Sequence, residues 1–355
     1  MTKHMFAGAS TPVGFVDLFD NIMPIKNAKR RLFLKGASGS GKSTFMKKVA
    51  AELEALGVPA EKFHCANDAD SLDAVAFSSI GLSIMDATSP HAHDPEIPVA
   101  IDRAINFAEF IDEQKLIPHL CELKSLLIAK KFLLQKATHY LAAVGNIYNA
   151  ENNAYESALN KHAITALAQK WINILSVENP ANCPGNERKL FLSAITPDGF
   201  VSFADSYFKD SVVYGVSCDI TVGVGVFLAE LERLAIACGQ NVTSFYSPFS
   251  PKQIEYLYFP QIDVAFVRTS GRYGYDGKLD EKIEISDYIH REMLSGSKLQ
   301  DLDCDLFNKL LDETINSMHA ARALHTRTEE IYISAIDFVN LNKATDKIIA
   351  ELLAL

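Results

Sequence analysis

The clearest chemical pattern in the chain is a glycine-rich stretch near its start. It reads Gly36-Ala37-Ser38-Gly39-Ser40-Gly41-Lys42-Ser43, with Thr44 next, and fits the spacing G-x-x-x-x-G-K-[ST]. Glycines let a backbone turn tightly enough for successive N–H groups to converge on anionic oxygens. The Lys42 ammonium would reach the β- and γ-phosphates, and the Ser43 hydroxyl would bind the Mg²⁺ that bridges them. Residues 36–44 therefore predict a binding site for ATP or GTP with Mg²⁺.

The elements on either side of this stretch suit that chemistry. An apolar strand, residues 31–35, comes before it, and a helix with one apolar side begins near Lys42. A helix N-terminus carries a partial positive charge and unpaired N–H groups, so it attracts phosphate. Strand, glycine loop and helix thus occur in the order that a phosphate site needs.

On these residues the sequence resembles the P-loop NTPase superfamily. More narrowly, it is similar to a poorly characterised bacterial family of tandem P-loop ATPase-like proteins. The features that carry this narrower resemblance are the repeated Thr-Pro-x-Gly-Phe, the glycine stretch, His64-Cys65, Ser71-Leu72-Asp73 and the run from Asp86 to His91. The resemblance implies nucleotide binding and supplies no particular reaction.

A second acidic group is expected to complete the Mg²⁺ site. The apolar run 80–85 ends in Asp86, which we predict as the second metal-binding residue beside Ser43. Many fast ATPases carry a Glu directly after this Asp, but position 87 is Ala, which leaves the catalytic base open. His91 could orient a γ-phosphate or a substrate hydroxyl. The predicted catalytic residues are Lys42, Asp86 and His91.

Two further groups of polar residues have competing interpretations. His91, His93 and Asp94 could form a transition-metal site or belong to a solvated loop. His64, Asn67, Asp68 and Asp70 could contact substrate, or one of the aspartates could cap a short helix.

The chain also contains an internal repeat. Residues 5–16 match residues 190–201 at an offset of 185, and a match at an offset of 182 follows. At that second offset Lys42 becomes Val224, Ser43 becomes Gly225 and Asp86 becomes Arg268. The second half should therefore not bind Mg-nucleotide. Arg268 or Arg272 could instead be an arginine finger for the first half, or an ordinary ion-paired arginine.

Alternating strands and helices predict an α/β fold with two tandem P-loop NTPase-like parallel-sheet units, each followed by a helical hairpin, the second unit being degenerate. Thr11-Pro12 and Thr196-Pro197 are predicted to begin helices, and the alternative is that these loops also line a ligand site. A short helix should follow Cys65. Leucines at intervals of seven over residues 115–149 indicate a long helix, paired with a second one near 155–175. The predicted segments are 1–110 (active unit), 111–178 (hairpin), 179–188 (linker), 189–285 (degenerate unit) and 286–355 (C-terminal helices).

Composition narrows the class of protein. The chain of 355 residues has 34 Lys and Arg against 44 Asp and Glu, a net charge of −10 that disfavours general nucleic-acid binding. No apolar run reaches the roughly 18 residues of a membrane span, so no membrane partner is expected. The six scattered cysteines and the absence of a signal-like start favour a cytoplasmic location.

The expected activity is Mg²⁺-dependent ATP binding and hydrolysis by the first half. The alternatives are a small-molecule kinase and a nucleotide-responsive binding protein with little turnover. The nucleotide is the predicted partner, with a small molecule or a protein as a possible substrate, and the sequence sets no oligomeric state.

Overall fold

Two six-stranded sheets, one in each half of the chain, organise the fold. The computed structural model describes residues 2–175, 183–294 and 301–354. The predicted linker at 179–188 therefore lies partly outside the described residues, and its last two positions already belong to a strand. Both sheets contain parallel and antiparallel strand pairs, and helices occur between their strands, so the predicted α/β class is confirmed.

The first sheet is built from strands of the first half. They are β1 (Lys3–Met5), β4 (Arg30–Lys35), β5 (Glu61–Cys65), β6 (Asp68–Phe77), β7 (Leu82–Asp86) and β8 (Asp102–Asn106), while β2 (Gly8–Thr11) and β3 (Gly14–Asp17) form a separate hairpin. The order across the sheet is β1-β5-β6-β7-β4-β8. Only β6 runs antiparallel to its neighbours.

The second sheet has the same arrangement. Its strands are β9 (Glu187–Leu190), β12 (Val212–Ser217), β13 (Val242–Tyr246), β14 (Ile254–Phe259), β15 (Val264–Arg268) and β16 (Glu281–Glu284), while β10 (Ser193–Thr196) and β11 (Gly199–Ser202) form the separate hairpin. The order β9-β13-β14-β15-β12-β16 repeats that of the first sheet, and β14 is again the antiparallel strand.

Backbone hydrogen bonds join the two halves at equivalent places. Phe6 and Phe191, which are 185 positions apart, exchange both of their backbone hydrogen bonds, at 2.9 and 3.1 Å. Two residues that bond reciprocally in this way lie about a local two-fold axis. The halves therefore face each other with approximate two-fold symmetry at this contact.

The strand β6 replaces the short helix that the sequence predicts after Cys65. Asp68 to Ser71 resemble a helix cap, but all of residues 72–77 are buried. A surface helix buries only one stripe, whereas a central strand is covered on both faces. The helix prediction at this position is therefore wrong.

The Thr-Pro motifs form hairpin turns, so the prediction that they begin helices is also wrong. The Thr11 hydroxyl accepts the Val13 N–H and donates to the Gly14 carbonyl, at 3.3 and 2.7 Å. Gly14 has a φ of +106°, which favours glycine. Thr196 bonds to Asp198 and Gly199 in the same way. Because a threonine hydroxyl can close a turn as readily as it caps a helix, the motif alone does not distinguish the two.

The helices cover the sheets and join the halves. They are α1 (Lys42–Ala55), α2 (Glu113–Leu116), α3 (Leu120–Glu156), α4 (Lys161–Ile174), α5 (Ala204–Tyr207), α6 (Thr221–Ala237), α7 (Asp301–Ser334) and α8 (Phe338–Leu353). Short 3₁₀ turns occupy Phe19–Asn21, Ile25–Asn27, Phe107–Phe110, Ile117–His119, Ser286–Tyr288 and Arg291–Leu294.

The long helices pair across the halves instead of forming a hairpin within each half. α3 packs along α7, and the two run antiparallel, since Glu122 meets Arg327 near one end and Tyr148 clusters with Phe307 near the other. α4 packs on α6 of the second half, and α8 packs on α1 of the first. The heptad pattern correctly indicates that α3 has a partner helix, but it does not identify which one.

The segments that lead into α4 and α8 also pair with the opposite half of the chain. Residues 335–337 bridge to residues 110–112 of the first half, and residues 158–160 bridge to residues 288–290 of the second. The segments 111–178 and 286–355 thus contribute to the cores of both halves and are not separate packing units.

Candidate functional site

The glycine loop, residues 36–41, connects the end of β4 to the start of α1. Gly36, Gly39 and Gly41 all have positive φ angles, of +152°, +73° and +93°. A Cβ on Gly36 would lie 2.9 Å from the Ser40 hydroxyl, which is too close for any side chain. The tight path of this loop therefore needs its glycines.

The Lys42 side chain folds back across the loop. Its ammonium donates to the carbonyls of Gly36 and Ala37, at 3.0 and 2.9 Å, and lies 3.4 Å from a carboxylate oxygen of Asp86. Lys42 is only 7% exposed. The Ser40 hydroxyl is buried beside it with no hydrogen-bond partner among the described residues. A buried cation and an unpaired hydroxyl are thus held at the same loop.

Asp86 is placed by the sheet. It ends β7, which pairs with β4 so that Asp86 stands beside Leu34, two residues before the loop. One oxygen of Asp86 accepts the Thr88 N–H and hydroxyl, at 3.0 and 2.6 Å. The other oxygen faces Lys42.

A second carboxylate, Asp73, stands beside Asp86, and sequence reasoning did not assign it to the site. Ala74 pairs with Met85, which brings Asp73 next to Asp86 on the neighbouring strand. Burial raises the pKa of Asp73 to about 6, the His91 imidazole opposes this shift, and the Asp86 carboxylate adds to it. Two sequence signals pointed to Asp73: it belongs to the Ser71-Leu72-Asp73 feature of the family resemblance, and the acidic Glu255 stands at the equivalent position 182 residues later. Because a helix was expected here, the two carboxylates could not be placed together.

His91 packs against both acidic strands. Its Nδ1 lies 3.0 Å from the Asp86 carbonyl, and its Nε2 lies 3.7 Å from a carboxylate oxygen of Asp73. Its ring stacks on Phe19 with 4.4 Å between centroids. The structure therefore brings Lys42, Asp86 and His91 together, and it fixes the orientation of the imidazole.

The Ser43 hydroxyl is tied to β6, since it accepts the Leu72 N–H at 3.0 Å. A hydroxyl oxygen has two lone pairs, so one remains available to a metal ion. Ser43 and Asp86 are both oxygen donors, the kind that Mg²⁺ prefers. The residues present thus fit the predicted Mg²⁺ site.

The loop opens into a cleft of about 680 Å³, whose walls come from both halves. Residues 38–44, Asp73, Asp86 and His91 line its floor. The walls come from α3, from α7 and from the hairpin of the second half; they include Leu127, Lys130, Leu134, Pro197, Arg322, His325 and Glu329. The sequence offered the loop at Pro197 only as an alternative ligand-site lining, and Pro197 does line the cleft. The α7 residues were missed, because their approach depends on the pairing of α3 with α7.

Glu329 of α7 lies directly against the glycine loop. A Cβ on Gly39 would come within 3.1 Å of Glu329, and the Gly39 amide hydrogen-bonds to the Glu329 carboxylate. Burial raises the pKa of Glu329, and the Asp68 carboxylate adds to this shift. An acidic side chain thus contacts the loop that is predicted to hold phosphate.

Two further side chains carry charge or hydrogen bonds into the walls of the cleft. Arg322 forms a bidentate ion pair with Asp198 of the second hairpin. His325 accepts a hydrogen bond from Lys130 at 3.1 Å, and burial, together with that lysine, lowers the pKa of His325 to about 4. His325 is therefore neutral at physiological pH.

Of the other polar residues that the sequence predicted for the site, some line the cleft and others bond elsewhere. Asn67 and Asp68 line the cleft, whereas His64 bonds to His4 and to the Ala69 carbonyl. His93 turns away from His91 and meets Asp17 at 3.1 Å. Within residues 2–175, 183–294 and 301–354, no group of three or more His, Cys, Asp or Glu side chains is arranged to hold a metal ion.

At the equivalent place in the second half, helix replaces the glycine loop. α6 begins at Thr221, three positions before Val224, which corresponds to Lys42 at the offset of 182. The helix therefore occupies positions that form an open loop in the first half. Arg268 is 1% exposed and donates to Glu255 at 2.6 Å, and Arg272 bonds to Asn308. Neither arginine lines the cleft of the first half.

Three aromatic side chains of the second half pack together beside α3 and α7. Phe200, Phe249 and Tyr273 stack on one another with centroid distances of 4.2 to 5.9 Å. At the offset of 182, Phe249 and Tyr273 correspond to Asn67 and His91, both of which line the first cleft. Apolar packing thus replaces polar lining.

Comparisons with known proteins identify no relative of this chain. No protein-family model, curated protein or solved structure matches the chain. In the part of the chain that the structure describes, no helix is both long and apolar enough to cross a bilayer.

Proposed function

We propose that the first half of this protein binds ATP or GTP with Mg²⁺ in the cleft and hydrolyses it slowly. One observation carries the proposal: the buried Lys42 ammonium is fixed on the glycine loop, 3.4 Å from the Asp86 carboxylate. A cation, converging loop amides and a helix start suit phosphate, and an adjacent carboxylate suits its metal ion. The resemblance to P-loop NTPases points the same way.

Each residue has a role in this proposal. The amides of the glycine loop and Lys42 would hold the phosphates, and Ser43 and Asp86 would hold the Mg²⁺ that neutralises them. Asp73 would accept a proton from the attacking water. A base with a pKa of about 6 is mostly ionised at pH 7 and still basic enough to take a proton. His91, 3.7 Å from Asp73, would position that carboxylate.

We further propose that the two halves arose by duplication and that the second has lost the site. The repeated strand order, the offsets of 185 and 182 and the reciprocal Phe6–Phe191 contact support a duplication. Val224, Arg268 and the aromatic stack support the loss. The second half would then serve the first by supplying α7 and the hairpin turn at Pro197.

A kinase remains the second candidate, because a specific observation favours it. Lys130 and Arg322 bring cations into the cleft from α3 and α7, as a kinase lid does. By contrast, Arg103, another basic residue of the first half, does not line the cleft and pairs with Glu351 at 2.8 Å.

Phosphate release from ATP and from GTP, with and without a pool of metabolites, tests the proposal. Release with nucleotide alone supports the hydrolase, and nucleotide consumption only in the presence of metabolites supports the kinase. The Lys42→Ala variant should lose turnover. Lys29→Ala removes an exposed lysine directly before β4 and should keep turnover. Equal turnover in both variants would contradict a site at the glycine loop.

A further inference from the structure

The outward face of α3 carries large apolar side chains that nothing else in the described chain covers. Leu120, Leu127, Ile128 and Phe132 are 50%, 61%, 70% and 65% exposed. Leu127 follows Leu120 by seven residues, Ile128 is adjacent to Leu127, and Phe132 lies four residues beyond Ile128. At 3.6 residues per turn, this spacing places the four side chains on one side of the helix. The opposite side of α3 packs against α7. We call the exposed side, from Leu120 to Phe132, the outer face of α3.

Lysines are interspersed with these apolar residues. Lys124 and Lys131 are exposed on the outer face, and neither has an ion-pair partner within 4.0 Å among the described residues. Residues 123–150 contain four lysines and no acidic residue, in a chain with 44 acidic residues and a net charge of −10. Glu122, two residues before Lys124, is on the side of α3 that faces α7, where it pairs with Arg327 at 2.8 Å. The outer face is thus basic and apolar, although the protein as a whole is acidic.

This combination limits what can cover the outer face. A second copy of the chain bound about a two-fold axis would bring the same lysines together, which is unfavourable. The outer face is one side of a single helix, and only Leu127 of its four apolar residues also lines the cleft. A helix with an apolar face and flanking lysines fits an anionic lipid surface, where the apolar side chains enter the headgroup boundary and the lysines meet lipid phosphates.

We propose that the outer face of α3 docks this protein on anionic membrane surfaces. The expectation that no membrane is involved rested on the absence of an apolar run long enough to span a bilayer. A helix that lies on the membrane surface does not need such a run. Docking does not depend on the proposed nucleotide function. Leu127 also lines the cleft, so the docked face borders the candidate site.

Sedimentation with lipid vesicles tests this proposal. The full chain should bind vesicles of phosphatidylcholine that contain about one third phosphatidylglycerol, and should bind pure phosphatidylcholine at least about tenfold more weakly. Binding should weaken at high salt, since exposed charges are screened. The double variant Lys124→Gln, Ile128→Gln should lose at least about tenfold in affinity for the anionic vesicles.

A matched control uses the same substitutions on another helix. Lys170 and Ile174 of α4 are both exposed and are also four residues apart. Lys170→Gln, Ile174→Gln should bind the vesicles as the unaltered protein does. Circular dichroism should show both variants folded, because all four side chains are exposed.

Three results would overturn the proposal. They are equal binding to anionic and neutral vesicles, undiminished binding by the α3 variant, and equal losses in the α3 variant and the control. A dimer in solution that the α3 variant dissociates would instead assign the outer face to a second copy.

Discussion

Arg268 and Glu255 form a buried ion pair, with 2.6 Å between the guanidinium nitrogen and the carboxylate oxygen. They lie on β15 and β14, at positions that correspond to Asp86 and Asp73 on β7 and β6. The second half thus carries its own fixed cation where the first half presents two carboxylates to an open cleft. This difference in charge supports the proposal that only the first half binds a metal-bound nucleotide.

Removing the guanidinium should destabilise the second half. Arg268→Ala leaves the Glu255 carboxylate buried without its partner, which should lower the free energy of unfolding by about 3–5 kcal/mol. Denaturant unfolding measures this loss. The double variant Arg268→Met, Glu255→Leu removes both charges and should recover most of the stability. If the double variant were as unstable as the single one, the ion pair would not be the cause.

Asp73→Asn should slow nucleotide hydrolysis by about 10²–10⁴-fold while changing nucleotide affinity little, because the amide cannot accept the proton of a water. Burial raises the pKa of Asp73, so the folded protein holds this proton more tightly than a free carboxyl does. The unaltered enzyme should therefore lose activity as the pH falls through about 6, and Asp73→Asn should lack this step. A pH–rate profile and a binding titration together check both statements. Turnover that is unaffected by Asp73→Asn would contradict the assignment.

Glu329→Gln should tighten binding of Mg-nucleotide about three- to tenfold. Its carboxylate contacts the glycine loop through the Gly39 amide, where it competes with and repels phosphate. Glu330→Gln is the matched control, since Glu330 is the neighbouring residue and pairs with Arg327 at 3.0 Å. Calorimetric titration of both variants measures the effect. Weaker binding by Glu329→Gln would show that this carboxylate supports the site and does not oppose the phosphate.

Local patterns in the sequence predicted the parts of the site that depend on neighbouring residues. The glycine loop, Lys42 and the end of β7 at Asp86 follow from short runs whose conformation is decided within a few residues. The turn at Thr11 could not be told from a helix cap, because the same hydroxyl satisfies either. Asp73 was missed because its position depends on the direction of β6, which is set by strand pairing.

Long-range packing set the remaining features. The leucine pattern of α3 indicated a partner helix, but α7 follows after more than a hundred residues and nothing local identifies it. Glu329 and Arg322 enter the cleft only through that pairing. The exchange of α4 and α8 between the halves likewise depends on bridges such as Ile111 to Ile336, which no local pattern reveals.

The central claim is that one half binds nucleotide and the other does not, and the number of sites per chain tests it most directly. Calorimetric titration of the purified protein with Mg²⁺ and ATP or GTP should give one site per chain. That site should vanish in Lys42→Ala and persist in Lys29→Ala. Two sites per chain, or a single site that Lys42→Ala leaves intact, would contradict the account.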